Sequence, residues 1–222
     1  MGLCVFDLDH TLVRTPLDLA AMAVEMRALL EEARGPLPPR PERWRVGELV
    51  LWSKAEAPEL EQALWQVALG HERRAMDAAS LEPGALDAVT GARDAGFRTA
   101  LWTNNARALT VPALERLGLA ALLDLVVTRD DMRALKPDPD GWRVISEHFT
   151  APTDGAGGLD AVVVGDSWVD GVAAAAVGVP FVAYRAREEE LRRWGVEPVA
   201  RLDDLAALPA WLMARLDGHA TR

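Results

Sequence analysis

CVFDLDHTLV, residues 4–13, carries an apolar run into two carboxylates, Asp7 and Asp9, one residue apart, and then into Thr11. Like charges this close raise each other's energy, so a cation, a shared proton or open water has to compensate them. The run Leu3 to Phe6 reads as a buried strand. Similar runs recur at residues 97–102, 125–127, 161–164 and 181–184. Stretches of helical period fall among them, at 84–95, 106–117, 139–149 and 168–177, with a closing helix over 203–216. Strands alternating with helices predict an α/β chain: a Rossmann-like parallel sheet with helices on both faces.

Residues 16–80 break the rhythm. They hold no convincing strand, and helices are expected over 17–34, 44–54 and 58–79, with GPLPPRPER (35–43) as a loop. The expected organisation is therefore a discontinuous α/β core, 1–15 and 81–222, carrying a small all-helical cap domain, 16–80. The linkers fall near residues 14–16 and 80–84. TAPTDGAGG (150–158) reads as a small-residue loop.

Composition narrows the partners. The 222 residues carry a formal charge of −10, which suits neither nucleic acid nor an anionic membrane surface. No apolar run is long enough to span a bilayer. The N-terminus lacks a basic segment and reaches Asp7 at once, so no signal peptide is expected. The single cysteine, Cys4, sits in an apolar run and forms no intramolecular disulfide, in keeping with a cytoplasmic setting. Only Lys54 and Lys136 are lysines among 24 basic residues, so each breaks a strong arginine preference.

The polar residues cluster where the apolar runs end. The first run ends at Asp7, the second at Thr103-Asn104-Asn105, the fourth at Gly165-Asp166-Ser167, with Asp170 one helical turn on. In an open parallel sheet these ends share one edge, where ligands bind. Asp7 and Asp9 follow a strand directly, and residues i and i+2 of a strand face one side, so both are expected to face one site. Asp138 and Asp140 have the same spacing but follow no apolar run, and read as a solvated loop and helix start. Asp7, Asp9 and Asp166 suit a hard divalent cation, most naturally Mg²⁺, with Asp170 behind them. Taken alone, Asp166 and Asp170 also read as helix N-caps. Thr103 and Asn104-Asn105, which singly read as a strand end and an ordinary turn, are together candidate phosphate donors, and Lys136 is a compact point charge for a phosphoryl group.

In order along the chain, FDLDHTL, LWTNN, KPDP and GDSWVD resemble the haloacid dehalogenase superfamily, specifically its Mg²⁺-dependent phosphatases with a helical cap, including phosphoglycolate phosphatase-like members. The resemblance implies that Asp7 is the nucleophile forming an aspartyl-phosphate and Asp9 the general acid and base. It implies that Asp7, the backbone carbonyl of Asp9, and Asp166 hold Mg²⁺, with Asp170 in support. Thr103, Lys136 and backbone amides near Asn104 would bind the phosphoryl oxygens. It further implies a cap that supplies groups for the leaving part of the substrate, and this cap is expected to open and close about its two linkers, gating water from the site. Arg43, Arg45, Lys54, His71, Arg73 and Arg74 are its polar candidates, while Trp44, Trp52 and Trp65 read as its core. His10 departs from the glycine common in relatives. The expected substrate is a small phosphorylated metabolite, such as phosphoglycolate or a sugar phosphate, ahead of a nucleoside monophosphate. A phosphomutase or a non-catalytic binding protein on the same fold are the alternatives. The choice between monomer and homodimer stays open.

Overall fold

The computed structural model describes residues 2–149 and 160–220, with side chains to residue 216. The expected loop over 150–158 lies outside the described residues. The chain forms two compact units, Met1–Thr15 with Ala79–Arg222, and Pro16–Ala78.

The first unit begins with β1 (Leu3–Phe6) and β2 (Val13–Arg14). The second unit contributes α1 (Leu19–Arg34), α2 (Val46–Glu56) and α3 (Glu61–Asp77). The first unit then resumes with β3 (Ser80–Leu81), α4 (Ala85–Asp94), β4 (Arg98–Trp102), α5 (Arg107–Arg116) and β5 (Leu125–Val127). It continues through α6 (Asp140–Phe149), β6 (Ala161–Gly165), α7 (Trp168–Ala176), β7 (Phe181–Tyr184), α8 (Glu188–Arg193), β8 (Ala200–Leu202) and α9 (Leu208–Ala220).

Six strands form one parallel sheet in the order β5-β4-β1-β6-β7-β8. From β1 the chain builds outward through β4 to β5, then returns to the other side of β1 and builds outward again from β6. The order reverses beside β1, and crevices at such switch points are where parallel sheets take ligands. β1 is apolar throughout and fully buried because it is central and covered on both faces. Alternation sorts its side chains: Leu3 and Val5 join Ala100, Trp102, Val163, Ile145, Ala173 and Leu191 in one core cluster.

Register brings the functional ends together. Phe6 pairs with Leu101 on one side and Val164 on the other. Asp7 is thus level with Trp102 and Gly165, and Thr103 and Asp166 lie one residue beyond. Asp7 N–H still donates to Val164 O at 2.9 Å, and Thr103 N–H to Val127 O at 3.0 Å. Both residues have left their strands yet keep their backbones tied to the neighbouring one.

The short ribbon of β2 and β3 pairs antiparallel, Val13 with Leu81 and Arg14 with Ser80. It was not read from the sequence, and neither were β8 and α8. The second unit has its own core of Met22, Met26, Leu30, Leu49, Leu64 and Ala68, against which Trp44, Trp52 and Trp65 pack. Those tryptophans therefore serve the packing of the helices, and Arg40 lies over the Trp44 ring at 4.7 Å. Among the described residues, no helix is long and apolar enough to cross a membrane.

Candidate active site

The strand ends at Phe6, so Asp7 and Asp9 are not both strand residues as the alternation reading had them. The chain turns at once: Leu8 O accepts from Leu12 N–H and Val13 N–H, both at 2.9 Å. His10 takes a left-handed backbone, φ 58°, at the tip of this turn. That is the conformation a glycine adopts without strain, and His10 meets it with its side chain exposed. The position of Asp9 relative to Asp7 is thus set by a turn rather than by strand pleating.

Lys136 is the centre of the site. It is only 6% exposed, and its three ammonium hydrogens have three acceptors: Asp7 Oδ1 at 2.7 Å, Asp170 Oδ1 at 2.5 Å and Trp102 O at 2.7 Å. The Asn104 side chain explains how a loop lysine is placed so well. Its Nδ2 donates to Lys136 O at 3.0 Å and its Oδ1 accepts from Lys136 N–H at 2.9 Å. Asn104, expected as a phosphate donor, uses its side chain to pin the lysine segment to the end of β4. Thr103 is buried at that same end, and its Oγ1 accepts from Asn105 N–H at 3.2 Å.

On the β6 side, Ser167 caps α7 and its N–H donates to Asp170 Oδ2 at 3.2 Å. Asp170 is therefore a capping residue and a partner of Lys136 at once. Gly165 leaves room for it, because a Cβ there would stand 2.6 Å from Asp170 Cγ and Oδ2.

Asp7, Asp166 and Asp170 each place a carboxylate oxygen within 4.8 Å of the others. Burial first, and then the charges of Asp7 and Asp170, push the Asp166 carboxyl well above the usual range. Burial also raises Asp170, against the opposing charge of Lys136. Burial alone would lower Lys136, but Asp170 and Asp7 hold it above the ordinary lysine range. One lysine facing three carboxylates leaves the group short of positive charge. An all-oxygen, carboxylate-rich donor set of this kind fits Mg²⁺, the cation expected from the sequence.

The Asp9 carboxylate is not in this group. Its Oδ1 accepts from Thr15 Oγ1 at 2.7 Å and its Oδ2 from Asn105 Nδ2 at 2.6 Å. Burial, then the nearby Asp7 charge, pushes its carboxyl up to about 6, against the two donors. Thr15 was missed by sequence reasoning because nothing marks it beyond a linker position. Asn105, expected with Asn104 as a phosphate donor, instead gives its side-chain amide to Asp9. The polar candidates Arg43, Arg45, Lys54, His71, Arg73 and Arg74 belong to the helical unit. There His71 Nε2 meets Glu25 at 2.7 Å and Lys54 meets Glu61 at 3.5 Å.

Residues 1–178 match the family model of the haloacid dehalogenase-like hydrolases. The chain is 28% identical to a phosphoglycolate phosphatase of Agrobacterium fabrum over 96% of its own length and 93% of that protein's. It is 31% identical to a phosphoglycolate phosphatase of Cereibacter sphaeroides, covering 81% of this chain and 83% of that one. Among solved structures, it resembles a hydrolase from Pseudomonas syringae with a TM-score of 0.65 at 21% identity, over 98% of this chain and 99% of the other.

Proposed function

This chain belongs to the haloacid dehalogenase-like hydrolases, and from that premise we propose that it hydrolyses phosphoglycolate or a closely similar short phosphorylated acid through a phosphoryl-enzyme on Asp7. It is a phosphatase of a small phosphorylated metabolite. The observation that carries the mechanism is the convergence of Asp7, Asp166, Asp170 and Lys136 at one sheet edge.

In this reading an Asp7 carboxylate oxygen attacks phosphorus as the bond from phosphorus to the ester oxygen breaks. Asp9 gives its proton to that departing oxygen. A water then attacks the phosphorus held on Asp7 and passes a proton to Asp9. The bond from phosphorus to Asp7 breaks, inorganic phosphate leaves, and both aspartates are restored. Asp7, Asp166 and the backbone carbonyl of Asp9 would hold Mg²⁺, with Asp170 in support; when bound, the ion neutralises charge on the transferring group. Lys136 supplies fixed positive charge beside the nucleophile, and Thr103 a hydroxyl for a phosphoryl oxygen. Loose transition states of this kind are stabilised mainly by positioning and charge. As part of the same reading, the enzyme works in the cytoplasm, which suits its single buried cysteine.

The test is phosphate release from phosphoglycolate and from p-nitrophenyl phosphate, with and without Mg²⁺, for wild type and Asp7→Asn. Mg²⁺-dependent release that disappears in the variant, with phosphoglycolate the better substrate by kcat/KM, is expected. Undiminished turnover by Asp7→Asn would remove Asp7 from the chemistry, and a preference against phosphoglycolate would remove the substrate.

A further inference from the structure

The carboxylate of Asp9 is held from two directions by residues 96 and 6 positions away in sequence, Asn105 and Thr15. Its backbone lies in a turn, so the turn alone does not fix how the carboxylate plane is presented. Asn105 is built to fix it. The residue is 5% exposed. Its N–H donates to Thr103 Oγ1 at 3.2 Å, and its carbonyl accepts from Arg129 N–H at 3.0 Å. The arm that reaches Asp9 therefore starts from an anchored backbone at the end of β4. The amide nitrogen of Asn105 faces Asp9 Oδ2 at 2.6 Å, the donor that an ionised carboxylate requires.

We propose that Asn105 is a positioning residue for Asp9, fixing the carboxylate so that its remaining acceptor positions meet the leaving oxygen and later the attacking water. This rests on the reading of Asp9 as the acid and base. A carboxylate has about four acceptor positions, and the two donors occupy one on each oxygen. The proton carried by Asp9 is thus confined to a small set of directions. Misplacing a catalytic group by about 1 Å is enough to cost roughly a hundredfold.

The consequence depends on the leaving group. An aliphatic alkoxide leaves poorly and needs the proton from Asp9. A p-nitrophenolate leaves well and needs little of it. Loss of the Asn105 amide should therefore lower kcat/KM for an alkyl phosphate far more than for p-nitrophenyl phosphate. A merely structural role for Asn105 would lower both alike.

The experiment compares kcat/KM for phosphoglycolate and p-nitrophenyl phosphate in wild type, Asn105→Ala, Asn105→Ser and Asp9→Asn, all with saturating Mg²⁺. The ratio of the alkyl to the aryl value is expected to fall about 10- to 100-fold in Asn105→Ala, and further in Asp9→Asn, towards the roughly 10²–10⁴-fold that general acid catalysis contributes. Asn105→Ser, which retains a shorter donor, should fall between Asn105→Ala and wild type, and carries the test if the alanine variant does not fold. If Asp9→Asn lowers the ratio while the Asn105 variants lower both substrates equally, the proposal is overturned and the role of Asp9 stands. If Asp9→Asn leaves the ratio unchanged, the acid-base role of Asp9 falls and the proposal falls with it.

Discussion

Gly165 leaves no space for a side chain, since a Cβ would stand 2.6 Å from two atoms of the Asp170 carboxyl. Gly165→Ala must displace Asp170, which packs beside Asp166 and binds Lys136. We expect Mg²⁺ affinity to fall about 10- to 100-fold, the usual consequence of disturbing groups that support metal ligands. Calorimetric titration with Mg²⁺ checks this, and an unchanged affinity would contradict it. Lys136 has the opposite character, because its partners already exist and depend on it. Lys136→Met removes the cation that, among the described residues, pairs with both Asp7 and Asp170. A fall in kcat of roughly 10²–10³-fold is expected, comparable to the loss of one preorganised charge-stabilising donor. His10 is a residue whose replacement should help the fold. In the left-handed region a non-glycine residue costs about 1–2 kcal/mol, and glycine's greater freedom when unfolded offsets about half of that. His10→Gly should be neutral or stabilise by up to about 1 kcal/mol in urea unfolding.

Elements meet the chain crossings through one buried acid. Glu82 follows β3 and is 5% exposed. It accepts from Arg14 at the end of β2 at 3.1 and 3.2 Å, and from Tyr184 Oη at the end of β7 and Arg185 Nη1 just after it, both at 2.8 Å. The β2–β3 ribbon, where the chain leaves and re-enters the α/β unit, is thereby fastened to the main sheet. Burial works to raise Glu82, but the donors around it overcome that, and its carboxyl lies below the ordinary range. A depressed folded value means that its contribution is complete above the unfolded value of about 4.3 and is lost as pH falls through the folded one. Glu82→Gln should destabilise by about 1–3 kcal/mol at neutral pH, towards the lower figure because both arginines are half exposed to screening water. The gap between wild type and variant should narrow as the pH drops below about 4.3. A gap independent of pH would show that the ionised form of Glu82 contributes nothing.

For the molecule as a whole, the carboxylate group predicts a stability that rises with a bound cation. Without one, Asp7, Asp166 and Asp170 repel across less than 4.8 Å, with Lys136 as the compensating charge within the group. A ligand that binds only the folded form at a hundred times its Kd adds about 2.7 kcal/mol. We expect Mg²⁺ to raise the melting temperature of wild type. Asp166→Asn should raise the metal-free melting temperature and abolish the Mg²⁺ response. An equal Mg²⁺ response in wild type and variant would place the cation elsewhere.

What the sequence determined was what short-range physics writes into neighbouring residues. The apolar runs and the intervening helical periods announced the strands β1 and β4–β7 and the longer helices, because burial on both faces demands such runs. The positions where those runs stop named Asp7, Thr103, Asp166 and Asp170, because a parallel sheet puts its strand ends on one edge. β8 and α8 escaped notice because three residues at a sheet margin and six mostly charged residues carry too little periodicity. Tertiary structure alone decided the partners. Strand register set Asp7 level with Trp102 and Gly165. A side-chain amide turned Asn104 from a candidate phosphate donor into the clamp of Lys136. The contacts of Asn105 and Thr15 with Asp9 arise only when the β4 end, the linker and the turn after β1 meet. A hydrogen bond between distant residues depends on distance and angle in three dimensions, and no local pattern in the chain encodes either.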